Sequence, residues 1–294
     1  MVGAPAFTGF VIVACAWRMR AIRNWGTWIS GCGLVACFVM SMVLVSGFPW
    51  PPIDAWKYVG LVLLIQLLLA LPMVRWPKSI ALGALGVLLV SAVPALVLGI
   101  PGVGSMGWRI VMFVFLLVMI LVTMPVAQRK GLSVPLSLWM PCSGLSVLLL
   151  LSGFAIAALI TGAVAAFLGG MAVIGLVNGN YVIGRAGMFL VVSTLMMMSL
   201  VGYGYDYDSF PAWAWLIIPI APVGLLAGEL VPPSRRTRAA WLRIIAVLVI
   251  TGAAIAVAMS PSGSVDTLEE EVDLDLYMMD TEHDVFDGEG TTTA

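Results

Sequence analysis

Ten apolar runs, most of them close to twenty residues long, follow one another through the chain: 3–17, 27–48, 56–74, 79–99, 108–127, 133–153, 155–177, 183–203, 211–230 and 240–259. The hydrocarbon core of a bilayer is about 30 Å thick, and roughly twenty helical residues cross it. Inside that core every backbone N–H and C=O must be paired within the protein, so runs of this kind fold as helices. The expectation is an all-α, polytopic transmembrane bundle of about ten helices over residues 1–259. A disordered acidic tail is expected over 260–294. With 62% hydrophobic and 10% charged residues, the chain lies far from soluble domains, in which roughly 25% of residues are charged.

Charge arbitrates the one ambiguous stretch. Residues 133–177 hold no charge, a length too great for one helix and enough for two joined by a tight turn. With ten helices and the amino terminus outside, twelve bases fall on the cytoplasmic side: Arg18, Arg20, Arg23, Arg75, Lys78, Arg129, Lys130, Arg185, Arg235, Arg236, Arg238 and Arg243. Only Lys57 and Arg109 fall outside. A single span over 133–177 would send Arg185 and the Arg235–Arg243 cluster outward, against the positive-inside rule, so a hairpin is expected around Ser152 and Gly153. Both termini are then outside the cytoplasm.

The first run has no base before it and three just after it, the reverse of a secretory signal peptide. For the same reason Ile12-Val13-Ala14-Cys15 is a poor lipoprotein cleavage box. The halves 1–130 and 131–259 would face opposite ways, as inverted transporter repeats do, although no landmarks align between them.

All 14 Lys and Arg lie before residue 260, with only four acids, Asp54, Asp206, Asp208 and Glu229. The tail holds the other eleven acids and no base. Its low hydrophobicity and one-signed charge predict disorder. Apolar residues such as Leu274, Tyr277 and Phe286 leave room for a protein partner that folds it. The bases are scattered through short loops rather than gathered beside stacking aromatics, so no nucleic-acid partner is expected.

No metal site or cofactor is expected. Cys15, Cys32, Cys37 and Cys142 all lie in apolar runs without a CxxC, and the one imidazole, His283, is in the tail. P-loop, dinucleotide and zinc-protease motifs are absent. The single histidine also excludes a Ser/His/Asp centre in the body.

Every charged residue of the body falls near an expected interface, which disfavours proton-coupled pumping through a buried carboxylate. The candidate binding residues are therefore of other kinds. Gln66 is the most polar side chain near the middle of a helix, within Leu63-Leu64-Ile65-Gln66-Leu67-Leu68. Pro94, Pro141, Pro219 and Pro222 each free a carbonyl and can open backbone toward a cavity. Asp206 and Asp208 end Gly202-Tyr203-Gly204-Tyr205-Asp206-Tyr207-Asp208, one residue off the Gly-x-Gly-Asp of intramembrane aspartyl proteases. Those enzymes need two carboxylates that share a proton, and a polar, aromatic outer loop is the simpler reading. Arg235-Arg236-Thr237-Arg238 could meet anionic lipid head groups.

Trp50-Pro-Pro-Ile-Asp-Ala-Trp56, Gly202-Tyr-Gly-Tyr-Asp206 leading through Pro211 to Pro222, and Gly228-Glu229-Leu-Val-Pro-Pro233 together resemble an uncharacterised multi-pass membrane family of planctomycete-type bacteria. The resemblance implies an inner-membrane protein and carries no site residue. The leading expectation is a transporter or permease-like protein for a neutral or apolar substrate, built on the broken fourth, sixth and ninth helices. The alternatives are a membrane scaffold recruiting a partner through its acidic tail, and a lipid-acting enzyme using Asp54, Asp206, Asp208 and Glu229.

Overall fold

The structure, a computed structural model, describes residues 3–18, 26–47, 54–71, 80–98, 105–205 and 210–260. Among these there are ten α-helices and no strand. In chain order they are α1 (Gly3–Arg18), α2 (Gly26–Ser46), α3 (Tyr58–Leu69), α4 (Ile80–Val97), α5 (Met106–Thr123), α6 (Ser133–Leu151), α7 (Ala155–Val177), α8 (Gly184–Tyr205), α9 (Ala212–Ile220) and α10 (Arg236–Met259). Seven helical stretches are long and apolar enough to cross a membrane. The fold is that of a multi-pass membrane protein. The acidic tail from 261 onward lies outside the described residues.

Three expected spans change character. The third begins as a 3-10 turn, Ala55–Lys57, before α3. The ninth is α-helical only to Ile220 and continues as a 3-10 helix over Ala221–Leu230. The tenth starts at Arg236, four residues before the expected 240, because charged residues end an apolar run without ending a helix.

The hairpin between α6 and α7 forms where the charge argument put it. Gly153 takes φ +82°, a left-handed conformation that a Cβ would strain. Ser146 Oγ donates to Ala158 O at 2.7 Å across the pair.

α8 is the central element, packing against α2, α3, α5, α6, α7 and α9. Its membrane-crossing window is 94% buried inside the protein, against 28% for α5 and for α10, so α8 faces helices where those two face lipid. Hydrophobicity does not drive helices together in hydrocarbon; close contact between small side chains does. α8 supplies these as Ala186, Gly187, Ser193, Ser199 and Gly202, all buried.

Helix order and cross-contacts define the two ends of the bundle. Gly131 N donates to Tyr181 O, and Arg243 reaches Ser133. One end therefore gathers Arg129, Lys130, Arg185, Arg235, Arg236, Arg238 and Arg243, with Glu229 as its sole described acid. At the other end Trp56 meets Phe154, and Phe154 meets Tyr205, in ring contacts of 6.3 and 5.5 Å.

Candidate functional site

Two of the residues singled out in the sequence meet in the middle of the bundle. Pro94 has no N–H, so the carbonyl four residues earlier, Val90 O, loses its helical donor. Gln66 Nε2 donates to that oxygen at 2.8 Å and to Ser193 Oγ at 3.1 Å. Gln66 is fully buried, and its Oε1 has no partner among the described residues. One amide thus ties α3, α4 and α8 and fills the gap that the proline opens. Neither Gln66 nor Pro94 lines a cavity described below.

Pro141 is buried within a continuous α6. Ser137 Oγ, on the residue whose carbonyl it frees, is buried without a partner among the described residues. Three residues further on, a Cβ at Gly144 would stand 2.5 Å from Thr251 Cγ2. This region of α6 serves helix packing.

Pro219 and Pro222 have a larger effect. Pro222 cannot donate to Ile218 O, and that carbonyl accepts from Ala221 N instead, an i to i+3 bond that starts a 3-10 helix. Ten residues is long for such a helix. Packing holds it there: a Cβ at Gly224 would meet Val247 N at 2.9 Å, and one at Gly228 would meet Arg243 Nε at 2.4 Å. The 3-10 segment therefore lies backbone-close along α10.

On the other side of this break is a small, partly enclosed cavity of about 30 Å³, lined by α5, α8 and α9 through Trp108, Ser199, Tyr203, Trp215, Leu216 and Pro219. That volume holds one or two waters. Ser199 Oγ and Trp215 Nε1 are both buried and without a partner among the described residues. The walls are aromatic, with Trp108 and Tyr203 rings 6.3 Å apart and Phe210 and Trp215 rings 6.2 Å apart. Gly202 makes room for the indole, since a Cβ there would stand 2.2 Å from Trp215 Cζ3. The lining is almost wholly apolar, and Ser199 and Trp215 are the lining residues whose buried polar atoms are unpaired among the described residues.

No family model matches this chain. No curated protein or solved structure matches it either.

The end of the broken helix at the basic side of the bundle carries a second arrangement. Glu229 accepts from Arg129 Nε at 3.1 Å and from its Nη2, and from Arg243 Nη2 at 2.9 Å. Arg243 is 7% exposed and also reaches Ser133 Oγ at 3.4 Å. One carboxylate thus joins the segment after α5, the end of the 3-10 helix and α10. In the sequence Glu229 stood among the interfacial carboxylates open to an enzyme reading, and Arg243 only as a topology signal. Its position as the one described acid at a basic end was the available clue.

The carboxylates of the enzyme reading do not converge as far as they are described. Asp54 pairs with Lys57 at 2.9 Å near the Phe154 end, whereas Glu229 lies near Ser133, at the other end of α6. Asp206 and Asp208 fall outside the described residues.

Proposed function

We infer that this chain is a transporter or permease-like protein of the inner membrane, for a neutral or apolar substrate, with α9 and its 3-10 continuation as the moving element. The observation that carries this reading is the cavity at the Pro219 break, whose lining includes Ser199 and Trp215, each with a buried polar atom that has no partner among the described residues. Membrane carriers bind at broken helices, where irregular backbone faces a cavity instead of lipid.

The rest of α9 supports the same reading. Its outer half lines the cavity, its proline pair forms the hinge, and its inner end is tied by Glu229. Tilting about Pro219–Pro222 would widen the cavity and load the ion pairs at once. In the described conformation the cavity is small and the ties are made, which corresponds to a closed state.

Purified full-length protein in vesicles, with osmotic equilibration of a panel of small neutral solutes followed by light scattering, tests this. At least one solute should equilibrate faster than in protein-free vesicles, and Ser199→Ala should slow it at least threefold. Equal rates with and without protein across the panel would overturn the reading.

A further inference from the structure

Between α6 and α7 the lipid-facing surface dips into an open groove of about 310 Å³, tenfold the cavity at Pro219. Its lining is apolar: Leu132 just before α6, Leu136 and Trp139 on α6, and Gly169, Val173 and Leu176 among those on α7. Gly169 adds no side chain to the floor, and a Cβ there would lie in ordinary contact with the Trp139 indole at 3.5 Å. Gly175 brings the two backbones together at the inner end, where a Cβ would stand 3.0 Å from Gly131 O.

The groove has a charged end. Leu132 is two residues from Lys130, so their Cα atoms lie within about 7.6 Å. Lys130 is exposed and makes no ion pair among the described residues. Its neighbour Arg129 is engaged by Glu229, whereas Lys130 is a cation at the mouth with no ion pair among the described residues. Among the described residues this end of the bundle carries several bases and one acid, Glu229, so the surrounding potential is positive.

The geometry points to a bound anionic phospholipid, with one acyl chain in the α6–α7 groove and its phosphate at Lys130. An apolar trough open to hydrocarbon takes up an acyl chain from the bilayer. A cation at head-group level attracts anionic lipids over zwitterionic ones. The site is distinct from the Pro219 cavity and does not depend on transport.

Native mass spectrometry of the delipidated full-length chain, titrated with dioleoyl phosphatidylglycerol or dioleoyl phosphatidylcholine, tests it. The first phosphatidylglycerol should bind at least fivefold more tightly than phosphatidylcholine. Lys130→Gln should bring the two within twofold. Val173→Trp, at a position 55% exposed and so harmless to packing, should weaken both by filling the groove. Equal affinity for the two lipids in the unaltered protein, a preference retained in Lys130→Gln, or binding indifferent to Val173→Trp would each overturn the assignment.

Discussion

A buried amide facing a proline-freed carbonyl is a pairing whose energetics separate cleanly. Gln66→Leu leaves Val90 O without a donor in an apolar surrounding and should cost about 1–2 kcal/mol, the range expected for one orphaned acceptor. Pro94→Ala restores a donor to the same oxygen from within α4. The two changes should therefore be non-additive: Pro94→Ala should be more favourable in the Gln66→Leu protein than in the unaltered one. Thermal unfolding of the four proteins in detergent reads this coupling, and additivity within about 0.3 kcal/mol would show that the residues act independently. Gly202 is a simpler case. A valine there would collide with the Trp215 ring, and overpacking of this kind costs about 1–3 kcal/mol. The same substitution should alter fluorescence from Trp215, which Trp215→Phe isolates by difference.

At the scale of the element, α9 shows how local chemistry and packing jointly select an unusual helix. Pro222 removes one donor, and Gly224 and Gly228 let the tightened helix lie against α10. Pro222→Ala returns an N–H to Ile218 O and should shift 221–230 toward α-helix, slowing amide exchange there. If exchange over that segment is unchanged, the glycine contacts alone hold the 3-10 form. Glu229→Gln leaves the buried Arg243 guanidinium without its counterion and should cost about 1–3 kcal/mol. Arg129→Gln removes a half-exposed partner and should cost under about 1 kcal/mol. Equal losses in thermal unfolding would show that the Arg243–Glu229 pair adds nothing beyond the Arg129–Glu229 pair.

The sequence made parts of this legible and hid others for physical reasons. Spans were readable because bilayer thickness sets a length, and the α6–α7 turn because charges record sidedness. That Gln66 meets Pro94 was not readable, because nothing in either segment states which helices are neighbours. The Pro219 cavity was half visible: the proline marked the break, but Trp108, Ser199 and Trp215 are brought together only by packing. The Glu229 tie was missed because an interfacial charge and a bridging charge look alike until the helices are assembled.

At the scale of the whole molecule, the unequal charge of the two ends bears directly on orientation. The end carrying Arg129, Lys130, Arg185, Arg235, Arg236, Arg238 and Arg243 is the one retained in the cytoplasm if the positive-inside rule governs insertion. Reporter fusions after residues 130, 184 and 238 should then read cytoplasmic, and fusions after 153, 206 and 265 external. The fusion after 153 discriminates most sharply. It sits in the α6–α7 turn, so it must report the side opposite to 130 and 184 in any ten-helix arrangement, whichever way the bundle faces. Agreement between 130, 153 and 184 would mean that α6 and α7 do not both cross, and the bundle described here would not be the membrane form. Opposite sides at 153 and at 130 and 184, but with the fusion at 130 external, would keep the fold and invert it. The basic end would then face outward, and the Pro219 cavity would lie toward the cytoplasmic side.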